Sequence, residues 1–225
     1  MKNFVREIQF KKLTSKNILV IILLVGFLHG LLYVFMTPPW WHHDESGHYL
    51  VVRFVADHGY HPAWGEAVPD DLLREELMAS FERSAGYLDF IDYTGAEGEE
   101  LVRWVLAPQS LDPPFYYAVA ALPLRLLKNT SLELQVYVLR LLSLSFFVLT
   151  LWASWQLNGL LFDEDHPMRW LGTAFLALLP GFINEMTAIG NSPLGVLFFA
   201  LFLWAGVFLL SKGFSWRMLL LLGAS

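Results

Sequence analysis

Residues 17–36 read NILVIILLVGFLHGLLYVFM, an apolar run that is interrupted only by His29. About 20 apolar residues in a helix cross the hydrocarbon core of a bilayer. The run is too long for the apolar part of a signal peptide, and no small-residue cleavage site follows it. The sequence therefore predicts a retained transmembrane helix over 17–36.

The composition agrees with a membrane protein. Hydrophobic residues make up 56% of the 225 residues, and charged residues make up only 16%. The chain has no cysteine, so disulfides and thiolate metal sites are excluded.

The charges are distributed unevenly along the chain. Residues 1–16 carry five Lys or Arg and one Glu, a net charge of +4. Residues 37–112 carry 15 Asp or Glu and four Lys or Arg, a net charge of −11. Because Lys and Arg next to a membrane span favour the cytoplasmic side, we expect 1–16 in the cytoplasm and 37–133 outside the cell membrane. No basic surface stands against the acidic loop, so a nucleic-acid partner is not expected.

Further apolar runs cover 134–161, 170–186 and 193–211, and another begins at 214. The apolar segment 113–127 reaches only about 22 Å as a helix, so we expect it to lie at the interface or to be re-entrant. If it spans the membrane instead, the orientation of every later span is inverted.

The run that begins at 214 has about half the length of a span. We therefore expect the last helix of 134–225 to be incomplete and covered by further helices or by a partner membrane protein.

The external loop is expected to contain helices. Asp44 is a candidate N-cap for a helix that ends at His58, with Gly59 as its stop. A second, amphipathic helix is predicted by apolar residues at helical spacing: Leu73, Leu77, Phe81, Ala85 and Leu88. It either packs on its own loop or lies on the outer membrane surface. Residues 95–100 are predicted to be a solvated turn. The expected fold class is all-α, a polytopic transmembrane helix bundle whose large external loop contains interfacial amphipathic helices.

The densest polar cluster follows the first span, at 37–49: TPPWWHHDESGHY. Asp44 and His48 are four residues apart and would share one helix face. One interpretation is a capped helix with solvated histidines. A metal site is a second, although the spacing matches no diagnostic metal motif. A general base at the membrane edge is the third.

Three other polar positions stand out. Asp112 precedes PPFYY at 113–117, which contains Tyr116 and is typical of an interface anchor. Arg140 lies inside the second span, where an arginine is either functional or extends to the surface. Asn191 lies in the turn between the spans 170–186 and 193–211.

Taken in order, these segments resemble the N-terminal part of a polytopic glycosyltransferase of the GT-C superfamily, close to the protein O-mannosyltransferases and aminoarabinose transferases of bacteria. The resemblance is carried by Pro-Pro-Trp followed by Asp44-Glu45 and His48, by 113–117, by Arg-Leu-Leu-Ser at 140–143, and by Pro-Gly-Phe at 180–182 followed by Asn191. It implies a sugar donor linked to polyprenyl phosphate, held among membrane lipids at the external face. In that family the acidic residue of the first loop is the catalytic base or positions the acceptor.

Applied to this chain, the resemblance implies that Asp44 is the catalytic acid or base, with Glu45 beside it. It implies substrate-binding roles for His48, Asp112, Tyr116, Arg140 and Asn191, with Arg140 on the lipid phosphate and Asn191 near the acceptor or a metal. The resemblance implies no certain cofactor, and a divalent cation is the one possibility that it leaves.

One departure supports an alternative function. Relatives commonly have Asn-Asp where this chain has Asn191-Ser192. The lost carboxylate favours a non-catalytic membrane subunit with the same scaffold, which acts as a structural partner in a larger membrane complex. The Asp44-Glu45 pair with His48 favours the enzyme.

The predicted topology can be tested by labelling single cysteines from outside intact cells, because the chain has no native cysteine. Ala96→Cys and Gly190→Cys are expected to react with a membrane-impermeant maleimide, whereas His166→Cys is expected to stay unlabelled. Labelling at 166 but not at 190 would show that 113–127 crosses the membrane.

Overall fold

A computed structural model describes residues 14–67, 69–85 and 108–225, with the side chains of Ala85 and Pro108 excepted. Most of the basic N-terminus, Leu88 and the predicted turn at 95–100 lie outside these residues. Within the described part the protein is all-helical and contains no strand. The all-α prediction is confirmed there.

The α-helices of the described residues are α1 (Ser15–Met36), α2 (Glu45–His58), α3 (Asp71–Ala85), α4 (Pro114–Leu126), α5 (Leu132–Leu161), α6 (Met168–Leu178), α7 (Pro180–Met186), α8 (Ser192–Lys212) and α9 (Trp216–Ala224). A 3₁₀ turn, Pro108–Leu111, precedes α4. Of these helices, α1, α5 and α8 are long and apolar enough to cross a membrane.

The sequence predicted one span over 170–186, and the structure has two helices there. The 11-residue α6 ends before Leu179, which is extended (φ −77°, ψ 107°), and α7 begins at Pro180. A residue before proline is disfavoured from the helical region, and proline has no N–H to continue a helix. The Leu179–Pro180 step therefore divides the apolar run into two shorter helices.

Of the two loop helices, α4 packs on α2, whereas α3 contacts α5. The buried face of α4 includes Tyr117, Ala121 and Leu124, and it joins one core with residues such as Val51 of α2. On α3, Leu77 is buried in the same core. Phe81 of α3 also stacks on Trp40 of the loop, a contact that the first of the two placements predicts.

A second core lies between α1, α5, α6 and α7. It contains Ile22 and Val34 of α1, Phe147 and Leu151 of α5, and Ile183 of α7. Two glycines four residues apart on α1, at 26 and 30, face α5 side chains with almost no spare room. Small residues at this spacing allow two membrane helices to approach closely.

The last turn of α1, the early turns of α5 and the turn between α7 and α8 meet at one end of the bundle. Arg140 of α5 donates to the carbonyl groups of Val34 and Thr37, and the backbone N–H of Ile189 lies 3.4 Å from Glu45. The loop between α1 and α5 therefore leaves and returns to the bundle at the same end.

This arrangement changes the best labelling position in the turn. Gly190 is buried against the ring of His48, whereas Glu185 is exposed. A cysteine at 190 is consequently expected to react slowly on whichever side it lies, and Glu185→Cys is the better probe of the same turn. His166 is exposed and remains suitable for the opposite end.

Candidate functional site

A buried ion pair joins the first loop to the second long apolar helix. Arg140 on α5 contacts both carboxylate oxygens of Glu45, with Nε–Oε1 at 2.7 Å and Nη2–Oε2 at 2.6 Å. Both side chains are fully shielded from solvent. This is the bidentate geometry that a planar guanidinium favours.

The chain itself satisfies the guanidinium completely. Besides the two bonds to Glu45, Nη1 donates to the carbonyls of Val34 and Thr37, and Nη2 donates to the carbonyl of Pro38. An arginine has five N–H groups, and all five are used. Arg140 therefore has no donor left for a lipid phosphate in this conformation, and its geometry is that of a residue that positions the loop.

Glu45 is equally well satisfied. Its carboxylate also accepts from the backbone N–H of Trp40 at 2.9 Å and from that of Ile189 at 3.4 Å. The carboxylate thus holds together the start of the loop, α5 and the turn before α8. Because it is buried and fully paired, Glu45 is not free to act on a substrate.

The neighbouring Asp44 has the opposite environment. It precedes α2 in the left-handed conformation (φ 56°, ψ 12°), and its side chain makes no capping hydrogen bond. The predicted N-cap position is correct, but the predicted capping interaction is absent. Its Oδ2 lies 2.9 Å from Nδ1 of His43, and more than a third of its side chain is exposed. Aspartate tolerates left-handed backbone better than most residues, and this backbone turns Asp44 outward while Glu45 turns inward.

Asp44 lines a polar cavity of about 390 Å³ at this end of the bundle. Four residues predicted from the sequence line it: Asp44, His48, Asp112 and Asn191. His43, Gln109, Glu185 and Ser192 complete the lining. The structure therefore brings together residues from the first loop, the 3₁₀ turn and the α7–α8 turn. Gln109 and Glu185 had no sequence signal that marked them as part of a site.

Three of the side chains near this cavity form a hydrogen-bonded chain. The hydroxyl of Tyr117 donates to Oδ2 of Asp112 at 2.9 Å and lies 2.8 Å from Nδ1 of His48. The Tyr117 and His48 rings are stacked, with centroids 5.9 Å apart. Sequence reasoning selected Tyr116 from the Tyr-Tyr pair, but Tyr117 is the one that connects the two cavity residues.

Tyr116 lies on the other side of the Asn191-Ser192 step. Its hydroxyl accepts a hydrogen bond from the backbone N–H of Gly190 at 3.1 Å. Its ring lines an apolar groove of about 400 Å³, together with residues such as Phe115, Leu194 and Phe198. Asn191 and Ser192 line both the groove and the polar cavity. The two are therefore adjacent and share one wall.

Two histidines at this end, His42 and His48, are held in the neutral form. Burial lowers the pKa of His48 below its ordinary value, although Asp112 and other nearby carboxylates oppose the effect. Burial also lowers the pKa of His42 to about 4. Both rings are consequently uncharged at neutral pH, with a ring nitrogen available as an acceptor.

In the described part of the chain, no group of three or more His, Asp or Glu side chains is arranged to hold a metal ion. The cavity carboxylates therefore do not form a preassembled cation site there.

The chain matches no known family model, no characterised protein and no solved structure. The resemblance to GT-C glycosyltransferases stays a prediction from the residues, and the case for a function rests on the geometry of the cavity and the groove.

The buried ion pair predicts a specific pattern of stability. Arg140→Ala and Glu45→Ala should each lower the free energy of unfolding by about 3–5 kcal/mol, since each leaves an uncompensated buried charge. Arg140→Lys should be almost as harmful, because a lysine cannot form five hydrogen bonds in this planar arrangement. Thermal unfolding in detergent would measure these effects.

The exposed Glu76 on α3 gives a matched control, and Glu76→Ala should leave the unfolding temperature unchanged. The double variant should cost less than the sum of the two single variants, because the partners are in direct contact. Additive losses, or a fully stable Arg140→Lys variant, would contradict the assignment.

Proposed function

We propose that this chain is a membrane glycosyltransferase, or the N-terminal portion of one, that transfers a sugar from a polyprenyl-phosphate donor at the external face. The observation that carries the proposal is the polar cavity beside the apolar groove. Four residues of the family-like motifs line the cavity, and the groove meets it at Asn191 and Ser192.

The pair of cavities suits a ligand with a polar head and a long apolar tail. Hydroxyl groups of a sugar would find carboxylates, an imidazole and an amide in the cavity, from residues such as Asp44, His48 and Asn191. An isoprenoid tail would lie against Phe115, Leu194 and their neighbours in the groove. Each volume falls in the range of small-molecule sites.

The proposed topology has 1–16 in the cytoplasm and the loop outside. In it α1, α5 and α8 are spans, and the divided segment α6–α7 runs back outward between α5 and α8. This topology agrees with the structure, in which the loop leaves α1 and rejoins α5 at the same end of the bundle. Within the loop, α4 packs on α2. The cavity then opens at the external membrane edge, where a lipid-linked donor is accessible.

Asp44 is the carboxylate that we assign to the reaction. It lines the cavity and is partly exposed, whereas the carboxylate of the adjacent Glu45 is buried in the ion pair with Arg140. In the proposed enzyme Asp44 acts on the acceptor hydroxyl, either as its base or by holding it in position. Asp112 and Asn191 contribute hydrogen-bonding groups to the same cavity.

One observation favours the second candidate, a non-catalytic membrane subunit with the same scaffold. A departing phosphate requires stabilisation of its negative charge. Arg140 is fully paired within the chain, and the lining described for the two cavities includes no Lys or Arg. A catalytic assembly would need a cation from another source, such as a partner membrane protein.

Sugar transfer can be assayed in nanodiscs made from native membranes, which contain the chain with its partners and acceptors. Undecaprenyl-phosphate mannose and undecaprenyl-phosphate aminoarabinose are supplied in separate reactions. Loss of donor would be followed by mass spectrometry, so that hydrolysis is detected as well as transfer. Asp44→Asn should lower the rate by about 10²–10⁴-fold, the usual contribution of a positioned acid or base. Asp163→Asn, an exposed aspartate after α5, should retain the wild-type rate.

An Asp44→Asn variant that turns over at the wild-type rate would contradict the proposed role of Asp44. A wild-type chain that binds neither donor, but is recovered from its native membrane in a stable complex, would favour the structural subunit.

Gly195 allows the groove to be tested separately. It lines the groove, and a Cβ added there would meet no atom within 4 Å, so a large side chain should fill the groove without disturbing the fold. Gly195→Trp should weaken binding of the polyprenyl donor at least tenfold. Gly181 has equally open surroundings but lies outside the groove lining, so Gly181→Trp is the control. Equal donor affinity in both variants, measured by native mass spectrometry, would show that the tail does not occupy the groove.

A further inference from the structure

The hydrogen-bonded chain of Asp112, Tyr117 and His48 has a fixed direction. It joins the residue after the 3₁₀ turn, the α4 helix and the α2 helix. Tyr117 has a single hydroxyl proton, and it donates that proton to Oδ2 of Asp112. The 2.8 Å contact between the Tyr117 oxygen and Nδ1 of His48 then requires that Nδ1 carries a proton and donates it to the hydroxyl oxygen. This assignment of the tautomer follows from the hydrogen-bond network.

In this tautomer the other ring nitrogen, Nε2, has a free lone pair. The Nε2 and Cδ2 edge of the ring faces the backbone of Gly190, where a Cβ would lie 3.5 Å from Nε2. Because position 190 is a glycine, no side chain from it covers that edge. His48 lines the cavity while its side chain is only 12% exposed. Among the described residues Nε2 has no hydrogen-bond partner, and it is not one of the buried unpaired atoms. Its lone pair is therefore accessible at the wall of the cavity.

We propose that His48 is the proton acceptor of this cavity, and that Asp112 acting through Tyr117 positions it. The proposal deepens the proposed function and rests on it. It assigns the base to His48 and leaves Asp44 to hold the acceptor hydroxyl. An imidazole is the better base of the two side-chain types near neutral pH. Asp44 is moreover in contact with His43 and partly exposed to water.

The charged groups around His48 suit this role. The groups that act on it are Asp44 and Glu45 at the start of α2, Asp112 before α4, and Glu185 on α7. Burial outweighs these carboxylates, and the pKa of His48 is lowered. The ring is therefore neutral before the reaction, while the same carboxylates stabilise the positive charge that it acquires.

Sugar transfer is a displacement at the anomeric carbon of the donor. The oxygen of the acceptor hydroxyl forms a bond to the anomeric carbon of the donor sugar as the bond from that carbon to the phosphate oxygen breaks. The electron pair of the broken bond leaves with the polyprenyl phosphate. The hydroxyl proton moves to Nε2 of His48, and the resulting imidazolium keeps its Nδ1–H bond to Tyr117, with Asp112 as counter-charge.

The pH dependence of turnover separates His48 from Asp44. A protonated imidazole cannot accept a proton, so the rate should fall as the pH decreases through the pKa of His48, with a midpoint below about 6.5. His48→Gln should lower kcat by about 10²–10⁴-fold and abolish this decrease. Asp44→Asn should lower the rate but keep the decrease. The decrease persisting in the residual activity of His48→Gln would overturn the proposal.

Two further variants test the hydrogen-bonded chain of Asp112, Tyr117 and His48, and whether the loss of activity is specific to His48. Tyr117→Phe keeps the ring stacked on His48 but removes the hydroxyl, so it should lower kcat at least tenfold with little change in KM. His58 is on the same helix, outside the cavity, and stacks on Phe54 with ring centroids 4.1 Å apart. His58→Gln should therefore leave kcat and its pH profile unchanged.

The tautomer can be measured without any turnover. With ¹⁵N-labelled histidine in nanodiscs, long-range ¹H–¹⁵N spectra should show His48 protonated at Nδ1 at neutral pH, and Tyr117→Phe should lose this preference. A wild-type His48 protonated at Nε2 would overturn the proposal even if sugar transfer is observed. The Nδ1-protonated form without transfer of either donor would support the positioning chain and reject glycosyl transfer as its use.

Discussion

The structure depends on one buried ion pair between residues that are 95 positions apart in the chain, Glu45 and Arg140. Removing two charges from water is costly, and the cost is offset only when their remaining hydrogen-bonding capacity is also satisfied. Here all five N–H groups of the arginine have acceptors, and the carboxylate also accepts two backbone N–H groups. This network connects the end of α1, the start of α2, α5 and the turn before α8. Any site at this end of the bundle is built on it.

The ion pair also explains why two adjacent acidic residues have different roles. The left-handed backbone at Asp44 turns its side chain toward the cavity, while Glu45 is drawn into the interior. Trp40, five residues before Glu45, is also left-handed (φ 71°), a conformation that is rare for a bulky side chain. Its N–H donates to Glu45, and its indole N–H donates to Ser80 of α3 at 2.9 Å. The strain at this turn is thus held by hydrogen bonds on both sides, which is a common property of functional sites.

At one end of the apolar helices, a polar cavity lies next to an apolar groove. Polar groups converge on one side of the Asn191-Ser192 step, and aromatic and aliphatic side chains line the other. A ligand whose head is hydrophilic and whose tail belongs in a bilayer would fit this division. In the proposed enzyme the acceptor side of the reaction is supplied by the first loop, through Asp44 and the His48 ring. The described lining of the cavity and the groove contains no Lys or Arg that could stabilise the departing phosphate.

The sequence alone predicted the membrane class, the helical fold and four of the eight residues that line the cavity. Apolar length predicts α1, α5 and α8, because the thickness of a bilayer sets the length of a span, and this requirement is local in sequence. The polar residues Asp44, His48, Asp112 and Asn191 lie in polar segments beside apolar runs, and the family resemblance assigned them to a site. The same local signals did not predict the division of 170–186, where Pro180 outweighs the surrounding hydrophobicity.

Only the tertiary structure decided what each polar residue does. Whether Arg140 meets a ligand or Glu45 depends on how α1, α2 and α5 pack, which no short window of sequence contains. The same holds for Tyr117, which is chosen over Tyr116 because α4 turns that side chain toward His48 and Asp112. Spacing along a helix defines which residues share a face, whereas the partner of that face is set by contacts between distant segments. Burial and pairing, and hence the chemistry of each group, follow from those contacts.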